Sequence, residues 1–90
     1  MKIKFFAYIR DYTGSKEIEY NRCATVQELL DELCIKYGIK FRKLIFTDDH
    51  QLSDEIIILV NGRSIVHLNF LNTPLKQDDE ISIFPVVAGG

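Results

Sequence analysis

A chain of 90 residues with 47% hydrophobic and 27% charged residues is sized and composed for one folded domain, which excludes a two-domain protein and intrinsic disorder. Eleven Lys and Arg against thirteen Asp and Glu leave a net charge of −2, too near balance for nucleic acid or an anionic membrane to be a main partner. No apolar run approaches the ~18 residues of a membrane span, and Met1-Lys2-Ile3-Lys4 opens without the apolar core of a secretory signal, so a cytoplasmic protein is expected.

Residues 2–9 alternate, with Ile3, Phe5, Ala7 and Ile9 on one face and Lys2, Lys4, Phe6 and Tyr8 on the other, which predicts a first strand. Thr13-Gly14-Ser15 is a turn cluster, and residues 16–20 alternate again, so a hairpin is expected. Thr25-Val26-Gln27-Glu28 has the capping-box pattern, in which the Thr oxygen accepts an amide of the first turn while Glu28 reaches back toward the cap. Val26, Leu29, Leu30, Leu33, Cys34 and Tyr37 then recur at helical spacing, and Gly38 suits the helix end. Ordering such a helix costs about what its apolar stripe returns, so it must dock on a sheet.

Residues 39–54 carry no decisive period: 41–46 suit a short helical turn or a brief strand, and 47–51 a polar turn. Residues 56–60 are an apolar strand. Asn61-Gly62 supplies the two positive φ angles of a tight hairpin, so residues 63–68 are expected to return antiparallel. A loop over 69–79 leads to the last strand, 80–84, with Pro85 ending its ladder. The order is strand, strand, helix, strand, strand, strand, an α+β fold with one main helix on a sheet.

Conventional catalytic patterns are missing: no phosphate-cradling glycine loop, nucleophile elbow or HExxH helix occurs. Cys23 and Cys34 are expected to be free thiols, since helical rise would hold them beyond disulfide reach. Cys34 belongs to the apolar stripe, whereas Cys23, ahead of the helix, has no identifiable base. With only His50 and His67 besides, no metal site is expected, and no cofactor is implied. Lys36, Lys40, Arg42 and Lys43 form the one basic concentration, read either as a solvated helix end or as a dock for an acidic partner.

The distinctive feature is the end, Phe84-Pro85-Val86-Val87-Ala88-Gly89-Gly90. A frayed terminus is the plain reading. Against it, the diglycine follows a strand with no polar linker, and a tail of residues 85–90 can extend up to about 20 Å, enough to enter another protein's active site. Two residues without Cβ let an enzyme close around the backbone. The terminal carboxylate, ionised at neutral pH, can attack the α-phosphorus of ATP.

The capping-box helix, Val60-Asn61-Gly62-Arg63, the run Asn72-Thr73-Pro74-Leu75-Lys76-Gln77-Asp78-Asp79-Glu80-Ile81-Ser82-Ile83-Phe84-Pro85, and terminal Val87-Ala88-Gly89-Gly90 resemble the MoaD/ThiS family of ubiquitin-like sulfur carriers, most closely its MoaD branch. The resemblance spans essentially the whole chain. It implies a single β-grasp domain with a flexible tail over 85–90, and first and last strands parallel at the sheet centre. It further implies that a ubiquitin-activating-type adenylyltransferase activates Gly90 and that sulfur then replaces an oxygen as a thiocarboxylate. In the MoaD branch a MoaE-like synthase large subunit takes that sulfur for molybdopterin, so the chain would be a substrate and small subunit and not an enzyme by itself. Related proteins include archaeal modifiers joined to lysines and carriers for other sulfur pathways.

Strand parity adds a surface. If Ile3, Phe5, Ala7 and Ile9 face the helix, Phe6 and Tyr8 face away beside Phe84, where an open sheet would be polar. The expectation is a partner-docking patch of Phe6, Tyr8 and Phe84, with Pro85, Val86, Val87, Ala88 and Gly89 leading to Gly90. The competing reading is core packing beneath residues 39–54.

Overall fold

The chain runs β1 (Lys2–Phe5), α1 (Ile9–Thr13), β2 (Glu17–Glu19), α2 (Val26–Tyr37), α3 (Ile39–Ile45), β3 (Ile56–Val60), β4 (Arg63–Ser64), two 3-10 turns (Ile65–His67 and Phe70–Asn72) and β5 (Glu80–Pro85) in a computed structural model that describes residues 1–86. The five strands form one mixed sheet in the order β2-β1-β5-β3-β4. β1 and β5 are parallel, in register from Lys2 with Glu80 to Phe5 with Ile83, and the other pairings are antiparallel. The helices cover one face of this sheet. Ile3, Phe5, Ile58, Ile81 and Ile83 meet Leu29, Leu30 and Leu33 of α2 and Phe41 and Ile45 of α3 in a buried core. A parallel pair at the centre, spanned by a sheet that grasps a helix, is the β-grasp fold.

Local chemistry explains α2. The Thr25 side chain accepts from the Glu28 amide at 3.2 Å, as its capping pattern predicts. The Glu28 carboxylate reaches one residue further back than expected and accepts from the Ala24 amide at 3.2 Å. Gly38 closes the helix with φ 94° and ψ −170°, a positive φ as expected but with an extended ψ. That conformation, open almost only to glycine, lets α3 start at the next residue. Residues 41–45 are thus helix, because Phe41 and Ile45, one turn apart, both bury against the core, while Phe46 is extended and bridges to Leu52.

Four expectations are corrected. The first strand stops at Phe5 and not at residue 9: Ala7 has φ 53°, and the chain turns into α1, which buries Ile9 by helical rotation instead of strand alternation. The expected hairpin therefore carries an extra helix between its strands. The return after Asn61 and Gly62, both at positive φ, lasts only two residues before a 3-10 turn that buries Ile65 and turns Val66 outward. Finally, the last strand runs to Pro85 and not to residue 84, so Pro85 ends the ladder from within it instead of beginning the tail. It is buried opposite Ile56, and one further bond follows beyond the ladder, the Val86 amide donating to the Glu55 carbonyl at 2.7 Å.

Candidate functional site

The centre of interest is the point where β5 leaves the sheet. Because β5 lies between β1 and β3, its last residues are held on both sides: Phe6 donates its amide to Ile83 at 3.1 Å, and Val86 donates to Glu55. At the strand's start, Asp79 accepts from the Lys76 amide at 2.7 Å and from the Asn61 side chain at 2.8 Å, while Asn61 accepts from the Glu80 amide at 2.9 Å. Asp79, at the end of the loop over 69–79, is thus a clamp that fixes the register of β5 against the β3–β4 hairpin.

On the face away from the helices, Phe6 and Phe84 stack with centroids 4.1 Å apart and planes 10° from parallel. Ile57, in register with Phe84, is 40% exposed beside them, and Val86 is 43% exposed. The Arg10 guanidinium lies 5.8 Å from the Phe6 centroid while its Nε donates to the Phe5 carbonyl at 2.9 Å, so α1 anchors a cation at the edge of the stack. Toward the other end of this face the row gives way to charge, with ion pairs Lys4–Glu80 at 3.1 Å and Lys2–Glu17 at 3.8 Å. The row is thus a small apolar patch with charged neighbours, set at the end of β5. Within residues 39–54, Phe41, Ile45 and Phe46 bury in the core with α2, and Leu52 packs against that core. Phe41 packs on the helix side, 6.5 Å from Phe5 and 5.3 Å from Tyr37, so the core-packing reading is set aside.

Tyr8 is not part of this row. It precedes α1 and lines a hollow of about 570 Å³ on the helix side with Asp11, Tyr12, Tyr37, Lys40 and Phe41. The alternation that placed it beside Phe84 ends with the strand at Phe5. Arg10 and Ile57 belong to the row and escaped the sequence reading; Arg10 could not be placed without α1, and Ile57 was hidden in a run apolar on both parities. Pro85 is on the buried side. Val87, Ala88, Gly89 and Gly90 lie outside the described residues.

Both cysteines are free and buried. Burial, and then a hydrogen bond to Glu32, push the Cys23 thiol up to about 11. Its Sγ donates to Glu32 Oε2 at 3.4 Å, and Tyr20 donates to Glu32 Oε1 at 2.9 Å, its own phenol being pushed up to about 12 by burial and that same carboxylate. Cys23, Glu28 and Glu32 bring potential metal donors within 4.8 Å of one another. The protonated thiol and the hydrogen bonds already made by both carboxylates describe a knot that ties the end of β2 to α2. His50 and His67 are both exposed.

Among the described residues no helix is long and apolar enough to cross a membrane. The model of the ThiS family matches residues 3–90. The chain is 36% identical to small archaeal modifier protein 3 of Haloferax volcanii over 100% of this chain and 98% of that protein. The solution structure of small archaeal modifier protein 1 from Methanosarcina acetivorans is 37% identical and superposes with a TM-score of 0.88, covering 99% of this chain and 94% of that one. A structure from Pyrococcus furiosus, described as molybdopterin converting factor subunit 1, is 30% identical with a TM-score of 0.71, covering 96% and 95%.

Proposed function

Because the chain belongs to the ThiS family, we propose that it is a sulfur carrier whose Gly90 is activated by a ubiquitin-activating-type adenylyltransferase and converted to a thiocarboxylate, with the sulfur passing to molybdopterin in complex with a MoaE-like large subunit. The chain is a small ubiquitin-like protein of the sulfur-carrier type and not itself the catalyst. The terminal carboxylate attacks the α-phosphorus of ATP, pyrophosphate leaves, and a sulfide-level donor displaces AMP from the acyl carbon, leaving sulfur where an oxygen stood. The partner supplies the nucleotide, the donor and a cavity that keeps water from the thioacid.

The observation that carries this reading is the exit of β5. A centrally paired strand delivers Val86 straight from the ladder, and the Phe6–Phe84–Ile57 row beside it offers a partner a rigid handle. In this reading Phe6, Phe84, Ile57 and Val86 dock, while Val87, Ala88, Gly89 and Gly90 thread into the active site. The likeness to two archaeal modifier proteins favours a second use of the same activated end, isopeptide bonds to lysines of other proteins.

Intact mass of the protein isolated from its own cell separates these uses. A sulfur-for-oxygen mass increase located at Gly90, with molybdopterin formed when that species meets the synthase subunit, supports the carrier reading. Higher-mass conjugates that vanish on deletion of Gly90 support the second. An unmodified acid after incubation with the cognate activating enzyme and ATP overturns both.

A further inference from the structure

The cations around the junction of α2 and α3 take no part in the reading above. Lys36, Lys40, Arg42 and Lys43 fall within residues 33–47, a stretch without Asp or Glu, while the rest of the chain holds seven basic residues against thirteen acidic ones. Neither ion pair found among the described residues involves them. Bases in the last turn of a helix complement its macrodipole, which accounts for Lys36, Arg42 and Lys43. It does not account for Ile35 and Ile39, which stand 78% and 67% exposed among those bases. Ile39 also walls a hollow of about 160 Å³ whose other apolar side is the buried Phe46. Arg42, Lys43 and His50 stand on its rim, with Asp48 the one carboxylate there.

We propose that this α2–α3 face docks an acidic segment of a partner protein, with carboxylates against Lys40, Arg42 and Lys43 and one apolar side chain in the Ile39–Phe46 hollow. Charge complementarity selects the occupant: a concentrated positive patch on a chain of net charge −2 attracts acidic groups locally while the body repels them elsewhere. The hollow selects between anions. It is about the size for a single aliphatic side chain and offers nothing to a phosphate backbone, so a peptide fits and a nucleic acid does not. The face lies on the helix layer, across the sheet from Phe6 and Phe84, so one protein can hold it while another works on the outgoing strand.

The test is an amide NMR titration of the full chain with a synthetic peptide alternating Asp and Glu with Leu and Ile. Saturable shifts centred on residues 39–50 are expected. Reversing Lys40→Glu, Arg42→Glu and Lys43→Glu together should weaken binding about tenfold, the loss expected for three exposed ion pairs. Ile39→Ser alone, at an exposed position, should weaken it severalfold with the unfolding midpoint unchanged. Equal binding of polyglutamate, tighter binding of single-stranded RNA or anionic vesicles, or peptide shifts centred on Phe6 and Phe84 would each overturn the proposal, as would titration without saturation.

Discussion

Replacing Phe6 by Ala removes one ring of the stack that stands beside the outgoing strand, and its consequences for folding and for docking separate cleanly. The ring is mostly buried, so about two-thirds of the ~1.5–3 kcal/mol of a fully buried large side chain is lost, roughly 1–2 kcal/mol. A stack at 4.1 Å and 10° is worth a further ~0.5–1.5 kcal/mol. The variant should unfold at lower urea with a loss of about 1.5–3.5 kcal/mol, leaving the domain folded. In a double-mutant cycle with Phe84→Ala, the coupling should be ~0.5–1.5 kcal/mol, since each truncation alone destroys the same contact. A coupling within about 0.3 kcal/mol of zero refutes the stack as a unit. The docking effect is read separately by calorimetric titration of the folded variant into the activating enzyme. If the row anchors the partner, affinity falls by about 2 kcal/mol, roughly thirtyfold. Unchanged affinity in a variant that shows the stability loss would sink the docking role while leaving the stack intact.

Gly38→Ala should destabilise the domain by about 1–3 kcal/mol in denaturant titration, although no atom lies within 4 Å of the added Cβ, because φ 94° with ψ −170° is costly for any side chain. Wild-type stability there would mean that the two helices can rejoin by another path. Cys23 should resist alkylation at neutral pH and become reactive only as pH approaches about 11, where burial and Glu32 have placed its thiol. Since the folded value lies above the ordinary 9.0, this group's contribution to stability is complete below pH 9 and is lost as pH rises through 11. Fast alkylation at neutral pH in the folded protein would contradict the buried, hydrogen-bonded thiol.

Much of the fold was legible because it is written in short-range chemistry. The α2 helix announces itself through Thr25, Glu28 and a stripe from Val26 to Tyr37. The β3–β4 hairpin follows from Asn61-Gly62, and β5 from its alternation. The diglycine end and the Asn72–Pro85 run were enough to suggest the family whose model matches residues 3–90. The site was half legible. Phe6 and Phe84 share a face as strand parity requires, but Tyr8 was misplaced, and Arg10 and Ile57 were not seen.

The misses have one cause. Where a strand, helix or turn ends is decided by which side chains find a buried place, and that depends on residues far along the chain. Ile9 satisfies strand alternation and helical burial equally, and only the meeting of α1 with α3 and β5 selects the helix. Residues 39–45 are too few for a period to speak, and the positions left for Phe41 and Ile45 against Phe5 and α2 make them helical. Pro85 lacks a donor yet is the last residue of β5, buried opposite Ile56, and the next amide finds the Glu55 carbonyl in the turn before β3. By itself the sequence determined the caps, the tight turn and the apolar periods, all local properties of the chain. The tertiary structure alone decided which apolar residues were left uncovered, since that depends on what the rest of the chain had already used to fill the core.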